Sequence, residues 1–439
     1  MDPFVVKAIQ LLLSLSILVV LHELGHFIPA KLFKTKVEKF YLFFDVNFSL
    51  FKKKIGETEY GIGWLPLGGY VKIAGMIDES MDTEQMKQAP QPWEFRSKPA
   101  WQRLIIMLGG VTVNIVLGFL IYMMILFVWG KEVLPSEDLE NGFTASALAK
   151  EIGFQDGDKI VSVDGKALEN VLDINRHLFL RSPESVDVLR KSGQKTTISI
   201  PEEMGTQMFE LGDLFPLMPE QHIFIDSLYP GNPAEKAGIQ VGDRLLSFDD
   251  KAINRMGVLN SEDLRQQDSV VFQVLRGKDE KRIVVYPTKE ATLGFIVKPV
   301  INFSTAHVAL NLEESIKQGF SYGYWTLHDY IAQFKYIFTK KGATQVGGFG
   351  AIGNLFPSQW DWQGFWSSTA LISIILAFMN ILPIPALDGG HVMFLVYEMV
   401  SGRKPNDKFM EYAQMFGFFL LLAMVLFANG NDVYRWLFS

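Results

Sequence analysis

The sequence contains no cysteine and has no excess of basic residues. Without cysteine the chain forms no disulfides, and it has no thiolate to serve as a metal ligand or nucleophile. The net charge of −7 at pH 7 gives no support for nucleic-acid binding, which requires clustered positive charge. Apolar side chains, in contrast, are abundant: 49% of the 439 residues are hydrophobic, and the mean hydropathy is slightly positive. This composition indicates that part of the chain lies in lipid.

Uncharged apolar runs predict four membrane-spanning helices. Residues 104–129, 365–387 and 412–431 carry no charged side chain, and about 20 apolar residues in a helix cross a bilayer. We interpret residues 8–28 as a retained first span, because this run continues into the segment HELGHFIPA without a small-residue cleavage site. The lipid bilayer is therefore an expected partner of the chain.

Basic residues in two loops predict the orientation of these spans. Lysine and arginine are frequent in residues 31–103, and the short loop between the last two spans carries Arg403, Lys404 and Lys408. The positive-inside rule places both loops in the cytoplasm. Both termini and residues 131–364 are then expected on the outer side.

The long segment between the second and third spans contains an internal repeat. Residues 149–158 (AKEIGFQDGD) recur as residues 234–243 (AEKAGIQVGD), and each copy continues into an alternating strand. A short helix that ends at glycine, a Gly-Asp turn and a strand are typical of a small β-rich module. The sequence therefore predicts two related modules in series.

The first span contains an HExxH motif, formed by His22, Glu23 and His26. Residues i and i+4 share one face of a helix, so both imidazoles can reach one zinc ion. Glu23 then lies beside the open position of the metal and can take a proton from a bound water. The alternative, a pair of incidental histidines, is disfavoured because polar side chains inside a span need partners.

A third zinc ligand is expected in the segment NILPIPALDGG, residues 380–390. Catalytic zinc usually has three protein ligands, and an aspartate in an apolar segment is costly unless it is paired or bound to metal. Asp388 is the main candidate, and His391, one helical turn further on, is the alternative. The prolines and glycines of this segment break the helix, which is tolerated only around a buried or wet cavity.

These paired motifs resemble those of the site-2 protease family of intramembrane zinc metalloproteases. The repeated AG(I/F)xxGD pattern resembles bacterial PDZ domains in tandem, which narrows the resemblance to the regulator of sigma E protease type. The resemblance covers essentially the whole chain. It implies a polytopic α-helical membrane protein with four transmembrane helices, a membrane-associated β-loop and two inserted α+β PDZ domains.

The implied domains follow the motifs along the chain. They are 1–130 (the first two transmembrane helices with HExxH and the cytoplasmic β-loop), 131–218 (first PDZ domain), 219–300 (second PDZ domain), 301–364 (an extracytoplasmic amphipathic helix and linker) and 365–439 (the last two transmembrane helices with NxxPxPxLDGG). Within the fourth of these, residues 313–338 predict an amphipathic helix on the outer membrane face. A plain packing helix is the alternative. Residues 342–353 are a glycine-rich link.

The family resemblance also implies roles for the motif residues. His22, His26 and Asp388 would bind Zn²⁺, and Glu23 would be the catalytic base. Asn380 would hold the substrate strand or polarise its carbonyl group. Asn114, in a Gly-x-x-x-Asn element of the second span, is placed with it as substrate-binding, with a helix–helix contact as the alternative.

The segment LPLGGYV, residues 65–71, resembles a family β-structure that offers an edge to the substrate and contains Gly68 and Gly69. A helical peptide bond is shielded, so a membrane substrate must unwind, and an exposed strand edge stabilises its extended form. Leu293, Gly294 and Phe295 resemble the loop with which PDZ domains bind a peptide C-terminus. Residues 211–213 are a weaker match in the first copy, and a spacer without ligand is the alternative for the pair.

The resemblance thus implies an intramembrane zinc endopeptidase of the bacterial inner (plasma) membrane. Its substrates would be single-span membrane proteins, such as an anti-sigma factor or remnant signal peptides, and the PDZ pair would act as a gate. One alternative is a catalytically inactive, membrane-anchored PDZ scaffold. Another is an ion or solute carrier, which would need more polar positions spread over several spans.

Overall fold

The computed structural model describes residues 2–438 apart from 67, 77–87, 257–266, 289, 291 and 302. The chain divides into two units, Met1–Lys131 with Ala309–Ser439, and Glu132–Val308. In chain order, the α-helices are α1 (Pro3–Leu32), α2 (Ala100–Trp129), α3 (Ala147–Glu151), α4 (Ile174–Arg176), α5 (Met204–Leu211), α6 (Pro233–Ala237), α7 (Leu312–Phe334), α8 (Lys340–Gln345), α9 (Phe349–Gly353), α10 (Trp362–Ile381), α11 (Asp388–Ser401) and α12 (Asp407–Phe438). The strands are β1 (Val37–Leu42), β2 (Phe44–Ile55), β3 (Thr58–Leu65), β4 (Tyr70–Ile73), β5 (Lys131–Val133), β6 (Phe143–Ala145), β7 (Lys159–Val163), β8 (Ser185–Leu189), β9 (Lys195–Ser199), β10 (Leu217–Pro219), β11 (Gln221–Leu228), β12 (Arg244–Phe248), β13 (Lys251–Ala252), β14 (Val270–Arg276), β15 (Asp279–Val285), β16 (Phe295–Ile301) and β17 (Ala306–Val308).

Four helices of the first unit, α1, α2, α10 and α12, are long and apolar enough to cross a membrane. They agree with the four predicted spans, except that the third ends early. Its helix stops at Ile381 instead of residue 387, because Pro383 and Pro385 lack the backbone N–H that a helix requires. The chain becomes helical again at Asp388.

Helix α2 packs against α1 and α11. Gly25 of α1 and Gly109 of α2 lie backbone to backbone, since a Cβ on either would collide with the other's carbonyl group. Helix α11 is joined to α2 by a largely buried ion pair, in which Arg103 Nη2 lies 2.6 Å from Glu398 Oε1. The first span and the helix that begins at Asp388 are thus held against the same helix.

Strands β1 to β4 form a four-stranded sheet with the strand order β2-β3-β1-β4. Strand β4 is at the end of the sheet, and among the described strands it pairs with β1 alone, with Tyr41 opposite Tyr70 in antiparallel register. The rings of these two tyrosines stack at 5.4 Å, and the Tyr70 hydroxyl donates a 2.8 Å hydrogen bond to Asp45 at the start of β2. These contacts fix the terminal strand and the glycine turn before it.

The second unit contains two modules, each with its own hydrophobic core. The first core gathers residues between Leu134 and Leu217, and the second gathers residues between Ile223 and Leu293. The first module has the sheet β7-β8-β9 and the pair β6-β10. The second has one sheet of order β15-β14-β12-β11-β16, with β13 attached to β12.

The sequence repeat is matched by a repeat of contacts. In the first module, Arg190 lies 2.7 Å from Asp158 of the Gly-Asp turn and donates to the carbonyl of Gly153, the glycine after the short helix α3. The same contacts recur in the second module between Arg276, Asp243 and Gly238. Each arginine therefore joins the turn to the end of the preceding helix.

Helix α7 packs lengthwise against α2. Its Gly319 lies against Met123 and its Gly323 against Phe119, so the two helices are antiparallel and closely spaced. Further along, Phe334 contacts Phe378 of α10 at a ring distance of 5.4 Å. Two glycines on one face of α7 therefore admit close contact with a spanning helix, as the packing alternative expects, and the position of this helix at the outer membrane face stays a prediction.

Candidate metal centre and active site

Three side chains with metal-ligating atoms converge at the start of α11. His22 and His26, one turn apart on α1, have their Nε2 atoms 3.2 Å from each other. Oδ2 of Asp388, the first residue of α11, lies 3.3 Å from each of these nitrogens. Within the described part of the chain, no other group of three or more histidine or carboxylate side chains is brought together in this way.

The geometry of this group fits a zinc ion. Tetrahedral zinc lies about 2.0–2.2 Å from nitrogen and oxygen ligands, which separates the ligand atoms by about 3.3 Å. The three observed separations have this value. In addition, Oδ2 of Asp388 is buried and makes no hydrogen bond of good geometry to any described residue. The donor set, two imidazoles and one carboxylate, leaves a fourth position open, as in catalytic zinc sites.

Both histidines direct Nε2 towards the candidate metal position and are oriented by a contact to Nδ1. Nδ1 of His26 lies 2.8 Å from the carbonyl oxygen of Ile106, which fixes the proton on Nδ1 and leaves Nε2 free for a metal. Nδ1 of His22 lies 3.1 Å from the side-chain amide of Asn114. The backbone carbonyl oxygen of Asn114 accepts a 2.7 Å hydrogen bond from the hydroxyl group of Ser373 on α10. The Asn114 amide therefore contacts a candidate ligand directly.

Gly110 explains how the histidines fit against α2. A Cβ at this position would collide with Nε2 of His26 and would lie 2.6 Å from Cε1 of His22. Only a glycine leaves room for both rings. Within the Gly-x-x-x-Asn element, Gly110 thus admits the two rings and Asn114 contacts one of them.

The cluster opens into a cavity of about 440 Å³ within the first unit. Glu23, Gly68, Gly69 and Asn380 line this cavity together with Asn114 and the three candidate ligands. A Cβ on Gly69 would lie 3.6 Å from Cγ of Glu23, so the Glu23 side chain lies beside the glycines that precede the terminal strand β4. All the residues predicted to bind metal, substrate or a proton in the membrane therefore share one cavity.

His391, the alternative ligand, faces away from the cluster. Its Nε2 atom lies 2.5 Å from the side-chain nitrogen of Gln414 on α12. The side-chain oxygen of Gln414 accepts a hydrogen bond from the backbone N–H of Ala386. Asp388, and not His391, therefore completes the group with His22 and His26.

The sequence matches the model of peptidase family M50 over residues 10–424. The chain belongs to peptidase family M50. It is 28% identical to a zinc metalloprotease of Neisseria meningitidis serogroup A, over 96% of this chain and 97% of the relative. It is 26% identical to the regulator of sigma E protease of Haemophilus influenzae, over 97% and 98% of the two chains. A zinc metalloprotease of Rickettsia conorii is 27% identical over 97% and 98%. The protein is therefore a zinc metalloprotease related to the site-2 proteases.

Part of the cavity of this M50 protease was missed by the sequence analysis. The sequence predicts a glycine-rich link over residues 342–353, but Phe349 and Ile352 of this segment line the cavity, as does Leu355 just after it. The start of α9 is attached to α12, because the carboxylate of Asp432 accepts hydrogen bonds from the N–H groups of Gly348 and Ala351. The sequence feature that could have indicated a contact with the cavity is the presence of bulky apolar residues within a run of glycines.

The two modules of the M50 protease differ at the predicted peptide site. Gly294 has a left-handed φ of 82° and lies against Asn232, where a Cβ would collide, and β16 follows it as the last strand of its sheet. In the first module, Gly212 of the weaker match ends helix α5. The part of the second module formed by residues 257–266 lies outside the described residues.

The corresponding edge of the first module is occupied by a side chain. Strand β10 pairs with β6 on one side. On the other side, the amide of Asn175 donates to the carbonyl of Leu217 at 2.7 Å and accepts from its N–H at 3.1 Å. Because a strand residue directs both backbone groups to one side, Asn175 takes the place that an added strand would need.

Proposed function

We propose that this protease is an intramembrane endopeptidase that cuts single-span membrane proteins within or near their membrane segment. The observation that carries the proposal is the meeting of the candidate zinc ligands, Glu23 and a sheet edge in one cavity between spanning helices. A protease of soluble peptides would have no need to place this group inside a membrane span.

In the proposed mechanism, His22, His26 and Asp388 hold the zinc ion and Glu23 acts as the base. Zinc, when bound, supplies a Lewis acid that acidifies water and polarises the peptide carbonyl group. Glu23 takes the proton from the attacking water and passes it to the leaving amine nitrogen, which lets the C–N bond break. Glu23 lines the cavity beside Gly69, next to the three candidate ligands.

The substrate is proposed to bind as an extended strand along β4. This strand pairs with β1 on one side, and no described strand pairs with its other side. Gly68 and Gly69 directly precede the strand and line the cavity. Main-chain hydrogen bonds to such an edge compensate a transmembrane substrate for the helical hydrogen bonds that it loses on unwinding. Asn380, near the end of α10, lines the same cavity and is proposed to bind the substrate backbone or its carbonyl oxygen.

The basic loops support the proposed orientation in a bacterial inner membrane. With residues 31–103 and the loop around Arg403 in the cytoplasm, the three candidate zinc ligands would lie in the cytoplasmic half of the bilayer. Both termini and residues 132–308 are then extracytoplasmic. An anti-sigma factor and remnant signal peptides are candidate substrates, and the name of the Haemophilus relative, regulator of sigma E protease, favours the former.

The two modules are proposed to be PDZ domains that filter substrates on the outer side. We place C-terminal peptide binding in the second module, at Leu293, Gly294 and Phe295, where the loop leads into a terminal strand. The first module is assigned a spacer role, because Asn175 occupies the edge of β10. An inactive scaffold is disfavoured, since it would have no reason to keep Glu23 beside an intact ligand group.

The test is cleavage of a tagged single-span substrate by the purified protein in detergent, comparing wild type with Glu23→Gln. This variant retains the ligands but cannot take a proton. We expect cleavage by wild type, a loss of at least 100-fold in the variant, and unchanged zinc content in both. Equal cleavage by both proteins would refute Glu23 as the base, and peptide binding that survives a chelator without any cleavage would favour the scaffold.

A further inference from the structure

Gln414 is a buried polar residue in the first third of α12, just before a long apolar run, and both ends of its amide are engaged. The oxygen accepts a hydrogen bond from the backbone N–H of Ala386, and the nitrogen lies against Nε2 of His391. Only 6% of the residue is exposed. A glutamine inside a spanning helix is costly unless its partners are present, so these contacts define what the residue does there.

The two partners of Gln414 flank Asp388 in sequence. Ala386 precedes it by two residues, in the non-helical connection between α10 and α11, and His391 follows it within the first turn of α11. Ala386 has a φ of 73°, a left-handed conformation that a residue with a Cβ adopts only when its surroundings impose it. The hydrogen bond from its N–H to Gln414 is one such contact.

Gly417 provides a second contact between α12 and the same connection. It lies one turn after Gln414, and a Cβ at this position would collide with the carbonyl group of Pro385. The backbone of α12 therefore rests directly on the dipeptide Pro385-Ala386. Two neighbouring residues on one face of α12 thus hold the segment that leads into Asp388.

We infer that Gln414 is a positioning residue that sets the direction of the Asp388 carboxylate towards His22 and His26. The inference rests on the proposed zinc site. Asp388 begins a helix, so its side-chain direction depends on how the preceding connection and the first turn of α11 are fixed. Gln414 fixes both. Partners that orient metal ligands in this way contribute about 10- to 100-fold to metal affinity or activity.

The test measures zinc affinity by chelator competition on the purified full-length protein in detergent. Gln414→Met preserves the length and volume of the side chain and removes both polar contacts. We expect zinc to bind about 10- to 100-fold more weakly, and excess zinc to restore part of the cleavage activity. Gly417→Ala, which pushes α12 away from Pro385, is expected to weaken zinc binding in the same direction.

Gln10→Met is the matched control. Gln10 is a fully buried glutamine of α1 whose amide donates a 2.8 Å hydrogen bond to the carbonyl of Pro357, away from the ligand group. We expect this variant to lower the thermal stability and leave zinc affinity unchanged. If Gln414→Met folds and binds zinc as tightly as wild type, the positioning role is refuted.

An Asp388→Asn arm separates this inference from the proposed function. Weaker zinc binding in Asp388→Asn with wild-type affinity in Gln414→Met would refute the positioning role alone. Wild-type affinity in Asp388→Asn would refute the zinc site itself, and the positioning role with it.

Discussion

The side-chain amide of Asn114 lies 3.1 Å from Nδ1 of His22, so a residue of α2 contacts a candidate zinc ligand on α1. When Nε2 of a histidine binds a metal, Nδ1 carries the proton and needs an acceptor. The amide oxygen of Asn114 can supply it, since the two amide orientations are equivalent in shape. This contact gives Asn114 a role in orienting His22, which is different from the predicted role in binding the substrate.

Asn114→Leu should therefore lower kcat and leave KM unchanged. The substitution keeps the side-chain size and removes the acceptor for the His22 proton, so we expect a 10- to 100-fold loss, about the size found for partners of metal ligands. Steady-state cleavage kinetics at saturating zinc measure this effect. A raised KM with an unchanged kcat would instead show that Asn114 contacts the substrate.

Gly110→Ala should abolish most of the activity. The new Cβ would collide with Nε2 of His26 and with the ring of His22. Each ring is held at its Nδ1, by the carbonyl of Ile106 and the amide of Asn114 respectively. We expect at least a 10-fold loss of zinc affinity, about the lower limit of the effects seen around metal sites. Gly118→Ala is the control on the same helix, because its Cβ would meet Ile374 at 2.8 Å, far from the ligands. Equal zinc affinity in both variants would contradict the account.

The Asp243–Arg276 pair should make the second module sensitive to acid. Burial tends to raise the pKa of Asp243, but the hydrogen bonds from Arg276 outweigh it and hold the pKa below its ordinary value. Because the pKa is lower in the folded than in the unfolded state, the pair stabilises the module above pH of about 4. This contribution is lost as the pH falls through the lowered pKa.

Asp243→Asn tests this dependence. We expect the free energy of opening of the second module to fall by about 1.5–3 kcal/mol at pH 7, and the difference from wild type to shrink at low pH. Native-state hydrogen exchange measures the opening of each module separately. Asp158→Asn, at the equivalent position, should affect the first module only. A difference between Asp243→Asn and wild type that does not depend on pH would refute the assignment.

Gly294→Ala should weaken the binding of C-terminal peptides to the second module. Its left-handed backbone and its contact with Asn232 both exclude a side chain. We expect at least a 10-fold weaker affinity for a fluorescent peptide, or about 1.4 kcal/mol, measured by anisotropy on the full-length protein. Gly212→Ala imposes a similar strain in the first module, at a φ of 75°, and should leave peptide binding unchanged. Loss of binding in the Gly212 variant would place the site in the first module.

The sequence was most informative where a polar residue stands in an apolar helix. His22 and His26 share a helix face because of their spacing, and Asp388 stands out because a carboxylate in an apolar segment needs a partner. The structure brings these three side chains together, and their role as zinc ligands stays a prediction. The break after the third span was also predictable from its prolines, although the helix ends at Ile381, earlier than the apolar run suggested.

Contacts between distant segments could not be predicted in this way. Gln414 is one polar residue in a long apolar helix, and only the packing of α12 against Pro385 and Ala386 reveals its partners. The same applies to Asn175, whose pairing with Leu217 depends on how a helix lies beside a strand. The sequence likewise does not show that the two glycines of α7 contact α2, which the fold does. In each case the contact joins residues that are far apart in the sequence, and the periodicity of apolar residues along one element does not predict such contacts.

The most direct test of the account is to map the peptide bond that is cut. A single-span substrate would be incubated with the wild-type protease in lipid nanodiscs, and the products would be identified by mass spectrometry, with Glu23→Gln in parallel. The account predicts a new terminus within or next to the membrane segment of the substrate, produced by wild type and not by the variant. Cleavage confined to a soluble region of the substrate, or the same terminus from both proteins, would contradict it.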